Sequence, residues 1–217
     1  SCVSDRQVIA QANEQHMSLS PAVMANPDLD RYLQDIGDRI IGAAKEYDTQ
    51  HVEKGGESRD WMFSKDMQFH LVNSKTLNAF TTGGEHMYIY SELFETCRSE
   101  DELAAVMAHE CAHVYGRHVH KGIQRQYLIV AGSAAVGIAA GEMAEKNSAE
   151  IGALAGAGAM MLGQFLSMGY TRSDEANADE LGFVFYTRAG WDPDRFGDFF
   201  QQLADKGLDT TPEQLSD

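Results

Sequence analysis

The sequence predicts a mainly helical α+β fold with one small sheet and a helical hairpin. Three observations carry this reading. Apolar residues recur at helical spacing, behind recognisable caps, in four separate stretches. Strand-like alternation is confined to residues 67–90. Two uncharged stretches rich in Gly and Ala, 127–141 and 151–171, flank a short polar segment.

The first helix opens at "NPDLDRYLQDIGDRIIGAAKEY" (26–47), with Asn26 as cap and Pro27 at the first helical position. Leu29, Leu33, Ile36, Ile40 and Tyr47 give it an apolar face. Residues 51–60 read as a polar loop. "MQFHLV" (67–72) alternates as a strand does. Gly83 and Gly84 form a turn between two further β-prone stretches, the second being "HMYIY" (86–90). Ser99 and Glu102 have the spacing of a capping box at the head of a long helix that carries Leu103, Val106, Met107 and Val114. The hairpin, about 125–169, follows. A helix starting near Ser173 runs to Gly190, and another spans 192–207 behind Asp192 and Pro193.

A chain of 217 residues suits one domain, 1–217, with a core at about 25–207. An apolar fraction of 43% and a charged fraction of 23% are those of a folded protein. The net charge of −16 argues against a nucleic-acid partner, since no surplus of Lys and Arg is present to neutralise phosphates. Three cysteines, Cys2, Cys97 and Cys111, do not make a disulfide framework. Cys2 reads either as an incidental cysteine or as the lipidated first residue of a bacterial lipoprotein.

The chemistry is concentrated in "HECAH" (109–113), in the middle of the long helix. Residues four apart share a helix face, so His109 and His113 can both aim an imidazole nitrogen at one zinc ion. Glu110 is rotated by about 100° from His109. It therefore flanks the ion, where a base would take a proton from water. A third ligand is needed. The extended pattern H-E-x-x-H-x-x-G-x-x-H fails, because Gly116 fits but its last position is Val119, with His118 and His120 on either side. Cys97 is only twelve residues before His109, across a turn and a helix start. In "YTRSDEANADE" (170–180), Glu175 and Asp179 share one helix face. One carboxylate can bind zinc while the other fixes a histidine tautomer. Taken alone, the pair reads first as a solvated acidic face, common in a chain this acidic.

"NAF" (78–80), "SEDELAAVMAHECAHVYGRH" (99–118) and "TRSDEANAD" (171–179) together resemble the HtpX, BepA and CAAX-prenyl-endopeptidase family of zinc metallopeptidases, metallopeptidase family 48. The family pairs H-E-x-x-H with E-x-x-x-D some sixty residues on, and here Glu175 follows His113 by 62. The resemblance spans roughly residues 25–200. It implies that His109, His113 and Glu175 bind one Zn2+ per chain, that Glu110 is the base, and that Asp179 stands behind a ligand. It also implies a gluzincin-type fold with the sheet over the active-site helix and "HMYIY" as the edge strand on which an extended peptide pairs. Arg172, Tyr170 and His118 are candidates for stabilising the transition state. The implied activity is endopeptidase action on unfolded, membrane-associated or outer-membrane polypeptides. The alternative is a chaperone or assembly factor with latent proteolysis. The periplasmic quality-control members look closest, which implies a bacterial periplasmic or membrane-associated protein, lipid-anchored if Cys2 is the lipidated residue rather than an incidental one. The uncharged runs of 15 residues and of 21 residues with five glycines argue against a transmembrane pair.

Overall fold

The computed structural model describes residues 10, 16, 17, 19–59, 67–83, 85–122, 125 and 170–206. The expected hairpin and Cys2 lie outside these residues. The first helix, α1 (Pro27–Glu53), begins where expected, with Asn26 accepting from the backbone of Asp28 and Leu29. It runs through the start of the expected loop. The strands are β1 (Gln68–Val72), β2 (Ala79–Thr81) and β3 (His86–Tyr90). Then come the short α2 (Ser91–Thr96), α3 (Glu100–Tyr115), α4 (Arg172–Arg188) and α5 (Asp198–Asp205). The expected last helix is divided: Pro193–Arg195 form a 3₁₀ turn, and α5 starts only after Gly197.

The strand order is β1-β3-β2. β1 pairs with β3 in parallel, His70 opposite Tyr88, and β2 pairs with β3 antiparallel, Phe80 opposite Tyr88. "HMYIY" is therefore the central strand, which corrects the expectation of an edge. The physical reason is that both its faces are covered. Met87 and Ile89 enter the main core, and His86 and Tyr88 are buried on the other side. A strand buried on both faces belongs inside a sheet. The outer side of β1 is met by Val23, bridged to Val72, and by the Met24 N–H donating to Leu71 at 2.8 Å. Among the described residues, β2 is the strand left with an open edge.

The main core lies between the sheet and the helices. Leu33, Ile36, Ile40 and Ala44 of α1 meet Phe69, Leu71, Met87 and Ile89 of the sheet and Leu103 to Ala108 of α3. α3 is buried almost all round, and its alanines at 104, 105, 108 and 112 let neighbouring elements approach closely. The opposite face of the sheet carries a smaller cluster of Leu19, Val72, Phe80 and Tyr88. No described helix is long and apolar enough to cross a membrane.

Candidate metal centre

α3 and α4 build the site. Ser99 caps α3 by accepting from the Glu102 backbone at 3.3 Å. The reciprocal half of the box is displaced by one residue: Glu102 accepts from the Arg98 backbone at 2.7 Å and from its guanidinium. The start of α4 does form a full box. Thr171 accepts from the Asp174 backbone, and the Asp174 carboxylate accepts from the Thr171 backbone and hydroxyl. Burial would raise the Asp174 pKa, but these bonds, with His118 and Arg125, hold it below the usual carboxylate range. Arg125 sits 3.0 Å from it. The two helices pack closely at Gly182. A Cβ there would lie 3.0 Å from His109 Cα.

This packing brings His109, His113 and Glu175 together. The two Nε2 atoms are 3.0 Å apart, and Glu175 oxygens lie 3.4 Å from His109 Nε2 and 3.8 Å from His113 Nε2. Tetrahedral zinc ligands at ~2.0–2.1 Å from the ion are about 3.3 Å from one another. The observed separations bracket that value.

The hydrogen bonds behind the histidines set their tautomers. The Asn177 Oδ1 can only accept, so His118 Nε2, 3.1 Å away, donates to it. Burial lowers the His118 pKa, which keeps this ring neutral. Its Nδ1 then accepts from His113 Nδ1–H at 2.9 Å. His113 is left presenting the lone pair of Nε2 to the site. On the other histidine, His109 Nδ1 lies 3.0 Å from Asp179 Oδ1, an approach close but oblique to the ring N–H, which has no aligned partner among the described residues. That carboxylate favours a proton on Nδ1, and so a second lone pair at Nε2. Two lone pairs facing each other at 3.0 Å beside a carboxylate repel unless a cation or a proton lies between them. Burial opposes charge on His109, but Asp179, Glu175 and Glu110 outweigh it and raise the pKa, whereas burial and the adjoining rings pull His113 down. The donor set thus fits a divalent ion.

Glu110 lies on the same turn. Burial pushes its carboxyl up to about 7, with Glu175 adding to the rise and His109 and the Thr81 backbone N–H opposing it. A cation bound beside it would lower that value. The Tyr170 ring stacks on His113 at 3.8 Å, and burial, with Glu110 and Glu175 next, raises its phenol pKa well above normal. Arg172 is exposed on the first turn of α4. Cys97, half-buried after α2, is not part of the converging group.

A model of Peptidase family M48 matches residues 43–216. The chain belongs to peptidase family M48. Its M48 relatives include a putative β-barrel assembly-enhancing protease of Vibrio cholerae, 31% identical over 85% of this chain and 34% of the relative. The β-barrel assembly-enhancing protease of Yersinia pestis is 28% identical over 92% of this chain and 38% of its own length. The mitochondrial metalloendopeptidase OMA1 of Saccharomyces cerevisiae is 27% identical over 63% and 37%. The chain spans about a third of the length of these relatives. M48 is a family of zinc-dependent metallopeptidases, and this member brings together a His/His/Glu group that could hold such an ion.

Sequence reasoning did not find the M48 chain's Asn177, the Thr81 backbone N–H or Gly182. Gly182 left one trace, a small residue two turns after Glu175 on the same helix face. Asn177 and Thr81 left none.

Proposed function

We propose that this chain is a zinc endopeptidase in which His109, His113 and Glu175 hold the ion and Glu110 is the general base. The observation that carries this reading is the convergence of two imidazole lone pairs and one carboxylate beside the half-buried Glu110. Zinc, when bound, supplies a Lewis acid that polarises the scissile carbonyl and makes a neighbouring water acidic. Glu110 takes the proton of the attacking water and passes it to the leaving amine. Asp179 and His118 hold the tautomers of His109 and His113. His118 is buried behind His113, so its part is to orient that ligand rather than to stabilise a transition state. Tyr170, packed on the same ligand ring, is the better placed candidate for contact with the reacting group.

β2 offers the surface for a polypeptide. Its open edge is next to Glu110, through the Thr81 N–H, and an extended segment can add to it as a further strand. Unfolded proteins present such segments. The names of the bacterial relatives support a role in β-barrel assembly, and the family resemblance supports a periplasmic setting with outer-membrane proteins as substrates.

The test is hydrolysis of unfolded casein by the zinc-loaded chain and by Glu110→Gln. The variant keeps size and shape, so it retains zinc while turnover falls by about two to four decades. Activity that survives the substitution sinks the base assignment, and loss of zinc makes Glu110 a ligand.

A further inference from the structure

We propose that His16, His70 and His86 form a second metal site, which takes a zinc-class divalent ion and pins the N-terminal segment to the outer face of the sheet. The three rings come from three places in the chain: the segment before α1, strand β1 and strand β3. The sheet register brings two of them together. Gln68 is opposite His86 and His70 opposite Tyr88, so His70 and His86 are diagonal neighbours on one face. His70 Nε2 lies 2.9 Å from His86 Nδ1. His16 lies over them, stacked on His86 at 4.0 Å with its centroid 4.8 Å from that of His70, so a turn of the His16 ring out of this stack is what brings its free nitrogen onto an ion shared with the other two. One nitrogen from each ring falls within 4.8 Å of the others.

The supporting contact has the form expected around a ligand histidine. His16 Nδ1 is 2.9 Å from Tyr88 Oη. A ligand imidazole usually gives its far N–H to such a partner, which fixes the ring and frees the other nitrogen. The set contains no carboxylate. An all-imidazole donor set selects zinc, copper or nickel over calcium and magnesium. His86 is buried and the other two rings are half-buried, so an ion would have an apolar floor of Tyr88 and Phe80. This face is the reverse of the one packed on α3, and the two sites share no residue. Binding here would close the chain between residue 16 and the sheet. It would add to the contacts of Leu19 and Val23 an anchor that a chelator can release.

The experiment uses the full chain carrying His109→Ala and His113→Ala, which removes the first site. Zinc per chain is measured after dialysis against a weak chelator, with circular dichroism as the check on folding. One zinc is expected in this background, and none once His16→Gln or His70→Gln is added. His16 lies outside both apolar clusters, so its loss leaves the core intact. Tyr88→Phe is expected to weaken binding by ~10–100-fold. Copper in place of zinc should give an electron paramagnetic resonance spectrum split by imidazole nitrogens. The wild-type chain should titrate to two zinc ions. A folded background chain that holds no ion overturns the proposal, as does zinc content unchanged by both His16→Gln and His70→Gln.

Discussion

His118 is held by its neighbours in one role. Gly116 and Arg117 end α3, and Arg117 takes a left-handed conformation at φ 57°, uncommon for a residue with a side chain. That turn swings His118 back beneath His113. Gly116 makes room for it, since a Cβ there would come within 2.3 Å of the His118 ring. His118→Leu keeps much of the volume and removes both hydrogen bonds. It is expected to weaken zinc binding by ~10–100-fold, as loss of a partner behind a ligand does. His118→Gln, which can still accept from His113 and donate to Asn177, should recover much of the loss. Competition with a chromophoric chelator measures this, and wild-type affinity in the Leu variant would remove His118 from the site. The pair His109 and His113 was legible in the sequence because four residues on a helix make a contact by themselves. His118 was legible only as a histidine, because its contact depends on one backbone turn.

At the scale of elements, the site depends on how closely α4 lies against α3. Gly182 sets that distance at the level of His109. Gly182→Val is expected to push the helices apart, at a cost of ~1–3 kcal/mol for overpacking, and to draw Glu175 away from the two rings. Thermal melting and zinc affinity should fall together, and a variant that melts lower yet binds zinc as wild type would uncouple packing from the site. The capping box of α4 makes a separate prediction. Thr171→Ala leaves the Asp174 backbone N–H without its acceptor at the helix start, while the Asp174 carboxylate keeps the residue-171 N–H and Arg125, and should cost about 1 kcal/mol, read from denaturant unfolding. No change would mean that the box contributes nothing to α4. Caps and apolar spacing made α1, α3 and α4 legible in the sequence. The order of the strands was not legible. Alternation in "HMYIY" shows a strand but not its neighbours, and the parallel pairing with β1 brings together residues 18 positions apart, such as Gln68 and His86.

For the molecule as a whole, the sheet divides two environments. One face packs with α1, α3 and α4 into the core that holds the candidate centre, and the other carries the histidine and aromatic cluster under the N-terminal segment. The centre joins elements far apart in the chain, and Glu175 was recognised through the paired family motif rather than through geometry, since an acidic helix in so acidic a chain has no single meaning. Its place beside both Nε2 atoms now gives it a physical reason, while Asp179, more exposed at 63%, faces the far nitrogen of His109. The most direct measurement is zinc per chain in Glu175→Ala and Asp179→Ala after identical dialysis against a weak chelator, in the His16→Gln background so that only this centre is counted. Glu175→Ala should come out metal-free, and Asp179→Ala should keep zinc with an affinity reduced by ~10–100-fold. The reverse order, or equal retention in both, would contradict a centre built from His109, His113 and Glu175.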